Sequence, residues 1–269
     1  MKATLGYYSG LYWTYLRIFV KRLAQYRADF GVMLVTTALR SGMTLVFIGI
    51  IFTRVRQLQG WSFGEVLLIF GVLSLASALS TLLLDMPYAI PAYVQSGRFD
   101  ILLIRPAPLL FQLLGERGFQ TSMIGSVPVA LAVTVYALSR PDVHPHAWWA
   151  LYLPLIVLTS TILFTSIVLL LACLAFRFTS VNNALYPVTW TAQFGQYPVT
   201  IYAPPIQFVL TWIVPYAMAG FYPAAFLLRG GHYRAYGLLA PLVGLLFATL
   251  SLAVWHIASR SYQSTGTAG

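Results

Sequence analysis

Histidine and carboxylate side chains come closest together in the short segment SRPDVHPH, which covers residues 139–146. Asp142, His144 and His146 alternate there, and alternate residues of an extended chain point to one side, so two imidazoles could share a metal ion. Pro145 restrains the backbone between the histidines, and the sequence fixes no third strong ligand nearby. We therefore expect a solvated turn here and no metal site.

Motifs for other catalytic chemistry are missing. Lys2 and Lys21 are the only lysines, and neither lies in the GxxxxGK[ST] loop that holds nucleotide phosphates. The sequence contains no HExxH and no GxSxG motif. Cys173 is the single cysteine, so an internal disulfide is impossible, and we interpret it as an inert packing residue. The chain is therefore not predicted to be an enzyme itself, and no cofactor is expected.

One cation lies deep in apolar sequence. Arg40 falls near the middle of the run Phe30–Thr53, and a charge at that depth must face protein, face water or reach the surface. It could neutralise Asp85 or contact an anionic substrate. We favour the structural role and keep substrate contact as the alternative.

The composition is that of a membrane protein crossed several times by the chain. Of 269 residues, 59% are hydrophobic and 8% are charged, against roughly 25% charged in soluble domains. The mean hydropathy is +0.78. The net charge of +10 is better explained by basic loops that fix topology than by nucleic-acid binding.

Apolar runs of about twenty residues predict six transmembrane helices, and the fold class is all-α. We place the spans at Phe30–Thr53, Phe63–Leu84, Phe119–Leu138, Trp149–Ala175, Ile206–Leu228 and Tyr236–Ile257. Residues 1–29 contain an amphipathic helix that we expect to lie in the membrane interface. The half-apolar segment Ala184–Pro205 is predicted to be interfacial and partly helical. Pro215 and Pro223 should break the fifth span, as in helices that line a cavity, and we assign Pro215, Tyr222 and Pro223 a substrate-path or structural role.

The polar segment, Asp85–Arg117, interrupts this apolar pattern. Pro87 and Pro91 can start a short helix, and Gly97 suits the left-handed residue that ends one. We predict a helix at Tyr88–Gln95, a turn, and an extended anchor that Pro106 and Pro108 terminate. Such a loop is expected to meet a soluble partner. The predicted contact residues are Tyr88, Pro91, Ala92, Gln95, Gly97, Arg98, Asp100 and Arg105.

Basic residues near span ends predict the orientation. Ten Lys and Arg residues fall on the side of the polar segment and both termini, and five fall on the other side. The richer side should be cytoplasmic. We therefore expect a multi-pass protein of the cytoplasmic (inner) membrane, with both termini and the polar segment inside.

Three sequence stretches resemble one family. SGRFDILLIRPAPLLF (96–111), QYPVTIYAPPIQFVLTWIVPYAMAGFYPAAFLL (196–228) and SRSYQSTG (259–266) are similar, in the same order, to motifs of the permease subunits of type-2 ABC exporters. Phe99 stands where Leu is usual, and Arg105 where Lys is common. The resemblance covers nearly the whole chain, which we therefore expect to form a single transmembrane permease domain (1–269).

The resemblance implies an N-terminal elbow helix and six spans in each of two permeases. It also implies a separate cytoplasmic ATPase dimer that binds the ATP, with residues 85–117 as the coupling loop between the two. The second permease could be identical or different. The predicted function is a permease subunit that exports an amphipathic or large substrate, with lipid-like, polysaccharide and peptide cargo all open. The alternatives are a non-transporting membrane scaffold and a stand-alone channel or carrier.

Overall fold

The structure, a computed structural model, describes residues 27–117, 125–178 and 181–263, together with scattered positions between 10 and 25. Most of these residues are helical, and none of them forms a strand. The α-helices are α1 (Arg27–Arg54), α2 (Phe63–Leu83), α3 (Met86–Gln95), α4 (Phe99–Leu103), α5 (Leu109–Arg117), α6 (Ser126–Leu138), α7 (Trp149–Ala172), α8 (Asn182–Trp190), α9 (Pro204–Phe208), α10 (Tyr216–Ala219), α11 (Phe221–Arg229) and α12 (Arg234–Arg260). Short 3-10 helices occur at Cys173–Phe176, Thr191–Gln196, Val199–Ile201 and Gly230–Tyr233, and a short π-helix occurs at Val209–Ile213.

Among the described residues, four helical stretches are long and apolar enough to cross a membrane. They are Gly31–Arg54, Phe63–Leu83, Trp149–Phe176 and Phe221–Arg260. The predicted first, second, fourth and sixth spans fall within them, except for Phe30 and Leu84 at two of the ends. Residues 119–124 of the predicted third span lie outside the described residues, and the described part of that span contains α6. Most of the predicted N-terminal elbow helix also lies outside the described residues.

Contacts define two ends of the helix bundle. At the polar-segment end, Phe99 packs against Phe176 and Trp255, with ring centroids 5.2 and 6.2 Å apart. At the opposite end, the Ser62 hydroxyl donates to Asp142 at 2.6 Å. The helices α2, α7 and α12 all run from the opposite end to the polar-segment end, and α1 and α6 run the other way.

The segment 182–201 runs along the length of α2. At its start, Tyr186 stacks on Tyr88 at the polar-segment end, with centroids 6.4 Å apart. Near its finish, the Thr200 hydroxyl accepts a hydrogen bond of 3.2 Å from the Trp61 indole at the opposite end. This stretch was predicted to be interfacial and partly helical. It is partly helical, but it passes from one end of the bundle to the other.

The following segment, 204–229, turns back inside the bundle, so the prediction of a span at Ile206–Leu228, broken by Pro215 and Pro223, is wrong: the helix is interrupted, but the segment does not run from one end of the bundle to the other. Its middle lies halfway along α7, where Ser160 donates to the Ala219 carbonyl at 2.8 Å and Phe164 packs on Tyr216 at 4.9 Å. Its last residue, Arg229, is back at the opposite end, 2.8 Å from Glu65. Pro215 stands at the reversal because proline supplies no backbone N–H to continue a helix. We call residues 204–229 the re-entrant segment.

Small residues let the long helices pack closely, as the serine and alanine run at 74–80 predicts. The Ser80 and Thr165 hydroxyls lie 2.9 Å apart between α2 and α7, and Thr161 donates to the Ala76 carbonyl at 3.3 Å. At Gly244 of α12, an added Cβ would lie 2.6 Å from the Thr159 carbonyl oxygen of α7. These contacts fix the bundle from which the polar segment projects.

Candidate functional site at the polar segment

The helix α3 rests on the bundle by one face and leaves the other uncovered. Ile90, Tyr93 and Val94 are buried, with at most 7% of each residue exposed. Ala92 and Gln95 are exposed, and Tyr88 is half-buried. Of the predicted contact residues, Pro91 is different because it is buried against the bundle. A partner can therefore reach Ala92 and Gln95, but not Pro91.

The turn after α3 has the predicted form. Gly97 has φ 69°, a left-handed conformation that a residue without Cβ adopts easily. Arg98 follows, and its guanidinium lies 4.9 Å from the centre of the Tyr93 ring, a cation–π contact. The Asp100 amide donates to the Gly97 carbonyl at 3.1 Å. Arg98 and Asp100 therefore both make contacts that hold this turn.

The anchor after the turn is helical, so the prediction of an extended anchor is wrong. Residues Phe99–Leu103 form the single short helix α4. Phe99 is fully buried, and its ring lies 4.8 Å from that of Tyr262 near the end of the described chain. Burial of this aromatic ring favours the helix, which places Phe99 and Leu102 on one buried face. Pro106 and Pro108 then follow, in agreement with their predicted role as terminators.

Two side chains of α5 hold the polar segment together. Glu116 accepts a hydrogen bond of 2.6 Å from the Tyr93 hydroxyl and forms an ion pair with Arg105. Burial alone would raise the pKa of Glu116, but these two hydrogen bonds keep its pKa below the usual value. The Gln112 side-chain amide donates to the carbonyls of Leu102 and Ala107 at 3.0 and 2.7 Å. α3, α4 and α5 are therefore braced as one unit.

An open cavity of about 450 Å³ lies beside the uncovered face of α3. Its lining consists of Asp85, Tyr88, Ala89, Ala92, Tyr93, Ser96, Arg98, Arg117 and Tyr186. Burial raises the pKa of Asp85 to about 6, although the nearby Arg117 opposes this shift. Burial, with help from the Asp85 charge, also raises the pKa of Tyr88 to about 12. The cavity thus carries two arginines and a carboxyl group that titrates close to neutral pH.

The second predicted set of residues does not gather at one place. Tyr222 stacks on Tyr236 with centroids 4.4 Å apart, and Tyr222, Pro215 and Pro223 are buried within the bundle. Arg40 is exposed on α1. The cation beside Asp85 is Arg117, so the suggested pairing of Arg40 with Asp85 is not present.

Sequence reasoning missed a charged cluster at the opposite end. Arg229 contacts both carboxylate oxygens of Glu65 and lies 3.7 Å from the centre of the Trp61 ring. Glu65 also caps the first turn of α2. The motif Ser62–Glu65, a serine followed three residues later by glutamate, signals such a cap, but no local pattern points to Arg229.

Asp142 has a structural role in this cluster. Its carboxylate accepts hydrogen bonds from the Ser62 hydroxyl and the Gly64 amide, at 2.6 and 2.8 Å. Asp142 is therefore held by hydrogen bonds to the start of α2, whereas a solvated turn was expected. Across the described residues, no group of three or more His, Cys, Asp and Glu side chains could hold a metal ion.

The fold defines an integral membrane protein whose long apolar helices carry a braced polar unit at one end. The profile of a family described as "ABC-2 family transporter protein" matches residues 38–266. The chain therefore belongs to the ABC-2 transporter family and is a membrane subunit of the permease type, not the ATPase. Membership implies association with an ABC ATPase. Comparison with curated proteins and with solved structures gave no match.

Proposed function

We propose that this chain is a permease subunit of an ATP-driven exporter, in which the polar segment transmits motion from a cytoplasmic ATPase dimer. The braced unit of α3, α4 and α5 carries this proposal. Its uncovered face presents Ala92 and Gln95, the Tyr93–Glu116 hydrogen bond braces the unit internally, and Phe99 packs it against Phe176 and Trp255 of the bundle. Because the unit is braced, a force that the ATPase applies to α3 would move the attached helices.

The proposed arrangement in the membrane has six crossings. They are α1, α2, a span that includes α6, then α7, the segment 182–201, and α12. The re-entrant segment adds the short helices α9, α10 and α11, which begin and end at the opposite end. The protein lies in the inner membrane. Both termini and the polar segment face the cytoplasm, an orientation favoured by the excess of basic residues at that end. A second permease, identical or different, would complete the substrate path.

Affinity purification in mild detergent tests the partnership. The tagged chain should co-purify with an ATPase that carries the nucleotide-binding lysine loop, identified by mass spectrometry. A photo-crosslinking amino acid at Ala92 should capture that ATPase. The same amino acid at Ala147, exposed at the opposite end, is the matched control and should not. Capture from Ala147 alone, or purification without any ATPase, would argue against the proposal.

A further inference from the structure

Arg40 lies deep in the apolar length of α1 with its side chain exposed. It is 13 residues from Arg27 and 14 from Arg54, the two ends of the helix. At 1.5 Å per residue, both ends are about 20 Å away along the axis. The hydrocarbon core of a bilayer is about 30 Å thick. An α1 helix centred in the bilayer therefore places Arg40 near the middle of the membrane.

The described part of this chain supplies no hydrogen bond and no ion pair to that guanidinium. The neighbouring threonine hydroxyls are turned to the helix backbone: Thr36 donates to the Val32 carbonyl at 3.0 Å, and Thr44 to that of Arg40 at 3.5 Å. Only 6% of the most apolar stretch of α1 is buried. A cation at this depth is costly unless something pairs with it, so Arg40 needs a partner from outside the described part of the chain.

A second copy of the same chain cannot supply a carboxylate at this depth. The six acidic residues are Asp29, Glu65, Asp85, Asp100, Glu116 and Asp142. Each lies in the first or last turn of a helix or in a connection, and none lies in the middle of a long helix. In a pair of identical permeases, the two Arg40 side chains would therefore still lack an anion. The missing charge must come from a different molecule.

The surface around Arg40 indicates the chemical class of that molecule. Leu39, Met43 and Phe47 are all exposed, by 59%, 72% and 55%, and flank Arg40 on α1. A guanidinium binds phosphate and carboxylate groups through two parallel hydrogen bonds. The combination of one deep cation with an apolar border suits an amphiphile that has an anionic headgroup and a hydrocarbon chain.

We propose that Arg40 binds the anionic headgroup of an amphiphilic substrate, while Met43 and Phe47 contact its hydrocarbon chain. This assignment names the substrate class of the proposed transporter. It rests on the proposed function, because binding at Arg40 is a step in export only if the protein is an exporter. Binding itself involves only the permease and can be measured without the ATPase.

Ligand binding to the full chain tests this assignment. The permease is placed in nanodiscs of phosphatidylcholine, and tryptophan fluorescence is titrated with dodecyl phosphate, dodecanoate and dodecylphosphocholine. The unmodified chain should bind at least one of the two anionic amphiphiles ten or more times as tightly as the zwitterionic one. The anion that binds tighter distinguishes a phosphate from a carboxylate headgroup.

Variants then locate the site. Arg40→Gln should weaken anion binding at least tenfold and leave dodecylphosphocholine within twofold, and Arg40→Lys should lose less than Arg40→Gln. Arg56→Gln, the same change at an exposed loop position, should have no effect. Equal binding of all three amphiphiles by the unmodified chain would overturn the proposal without any variant. Unchanged anion binding in Arg40→Gln, or a changed number of permease subunits in that variant, would overturn it too. An intact Arg40 effect without a co-purifying ATPase would contradict only the export function.

Discussion

Arg229 and Glu65 form a two-pronged ion pair that joins the end of the re-entrant segment to the start of α2. The Arg229 Nε lies 3.0 Å from Glu65 Oε1, and Nη2 lies 2.8 Å from Oε2. The same guanidinium donates to the Gly60 carbonyl and packs on the Trp61 ring. Because Glu65 also caps α2, one arginine stabilises a helix start, a turn and the return of the re-entrant segment together.

Replacing this arginine with lysine tests the fork geometry. Arg229→Lys keeps the positive charge but cannot bind both carboxylate oxygens and the carbonyl in one plane. We expect it to destabilise the protein by about 1–2 kcal/mol, a charge-assisted hydrogen bond being worth roughly that amount. Thermal unfolding in detergent measures the effect. Arg234→Lys is the matched control at a nearby exposed position, and a similar loss there would show that the fork is unimportant.

A charge on the uncovered face of α3 should uncouple the transporter. If Ala92 meets an apolar groove of the ATPase, Ala92→Asp would bury an unpaired carboxylate at a cost of several kcal/mol. Transport-linked ATP hydrolysis should fall at least tenfold, while the amount of permease in the membrane stays normal because Ala92 is exposed in the chain itself. Ala147→Asp, at the opposite end, should leave hydrolysis unchanged. Full activity in Ala92→Asp would mean that α3 does not bind the ATPase.

The Asp85 carboxyl predicts a pH effect on stability. Burial raises its folded-state pKa to about 6, above the unfolded value of about 3.9. The folded chain therefore holds this proton more tightly, and the associated stability is present below pH 4 and is lost as the pH rises to about 6. Asp85→Asn cannot ionise, so this variant should not lose stability in that pH range.

The comparison needs melting temperatures from pH 4.5 to 7.5. The difference in melting temperature between Asp85→Asn and the unmodified protein should increase by a few degrees as the pH rises to about 6. Above that pH the difference should stay constant. A shift of roughly 2–4 °C per kcal/mol is usual for chains of this size. Parallel curves across the whole pH range would show that Asp85 does not titrate in this window.

The close contact of α7 and α12 is tested with two glycine substitutions. Gly244→Ala places a methyl group 2.6 Å from the Thr159 carbonyl oxygen, so the helices must separate, at a cost of roughly 1–3 kcal/mol. Gly42→Ala makes the same change in α1, where nothing lies within 4 Å, and should be neutral or slightly stabilising because alanine favours helix. The melting temperature in detergent should be lower for Gly244→Ala than for Gly42→Ala. The reverse order would contradict the close packing of α7 and α12.

Local sequence signals predicted most of the helices but not where one segment turns back. Apolar length placed the second span at Phe63–Leu84, one residue longer than α2, and Gly97 marked the end of α3. Hydropathy cannot distinguish a crossing from two half-crossings of the same total length, so residues 206–228 were predicted as a span. The segment 182–201, which runs the length of the bundle, is only half apolar, and its Thr200 hydroxyl accepts a hydrogen bond from the Trp61 indole.

Long-range pairs account for the remaining errors. The partners of Arg229 and of Asp142 are 164 and 80 residues away in the chain, and no periodicity in the sequence points to them. Arg40 was expected to have a structural partner because a deep charge needs one. The structure places Arg117, not Arg40, next to Asp85. The physical requirement was correctly stated, but it is not met within the described chain.

The re-entrant segment has a consequence for experiments that map topology with fusion proteins. A reporter enzyme fused after Tyr202 and one fused after Gly230 would, for a continuous span, give opposite signals. Since residues 200 and 229 both lie beside the start of α2, both fusions should report the same compartment, on the side away from Gln95. A hydropathy plot scored against such data would place a crossing at residues 206–228, where the chain turns back, and would miss residues 182–201, which run the length of the bundle.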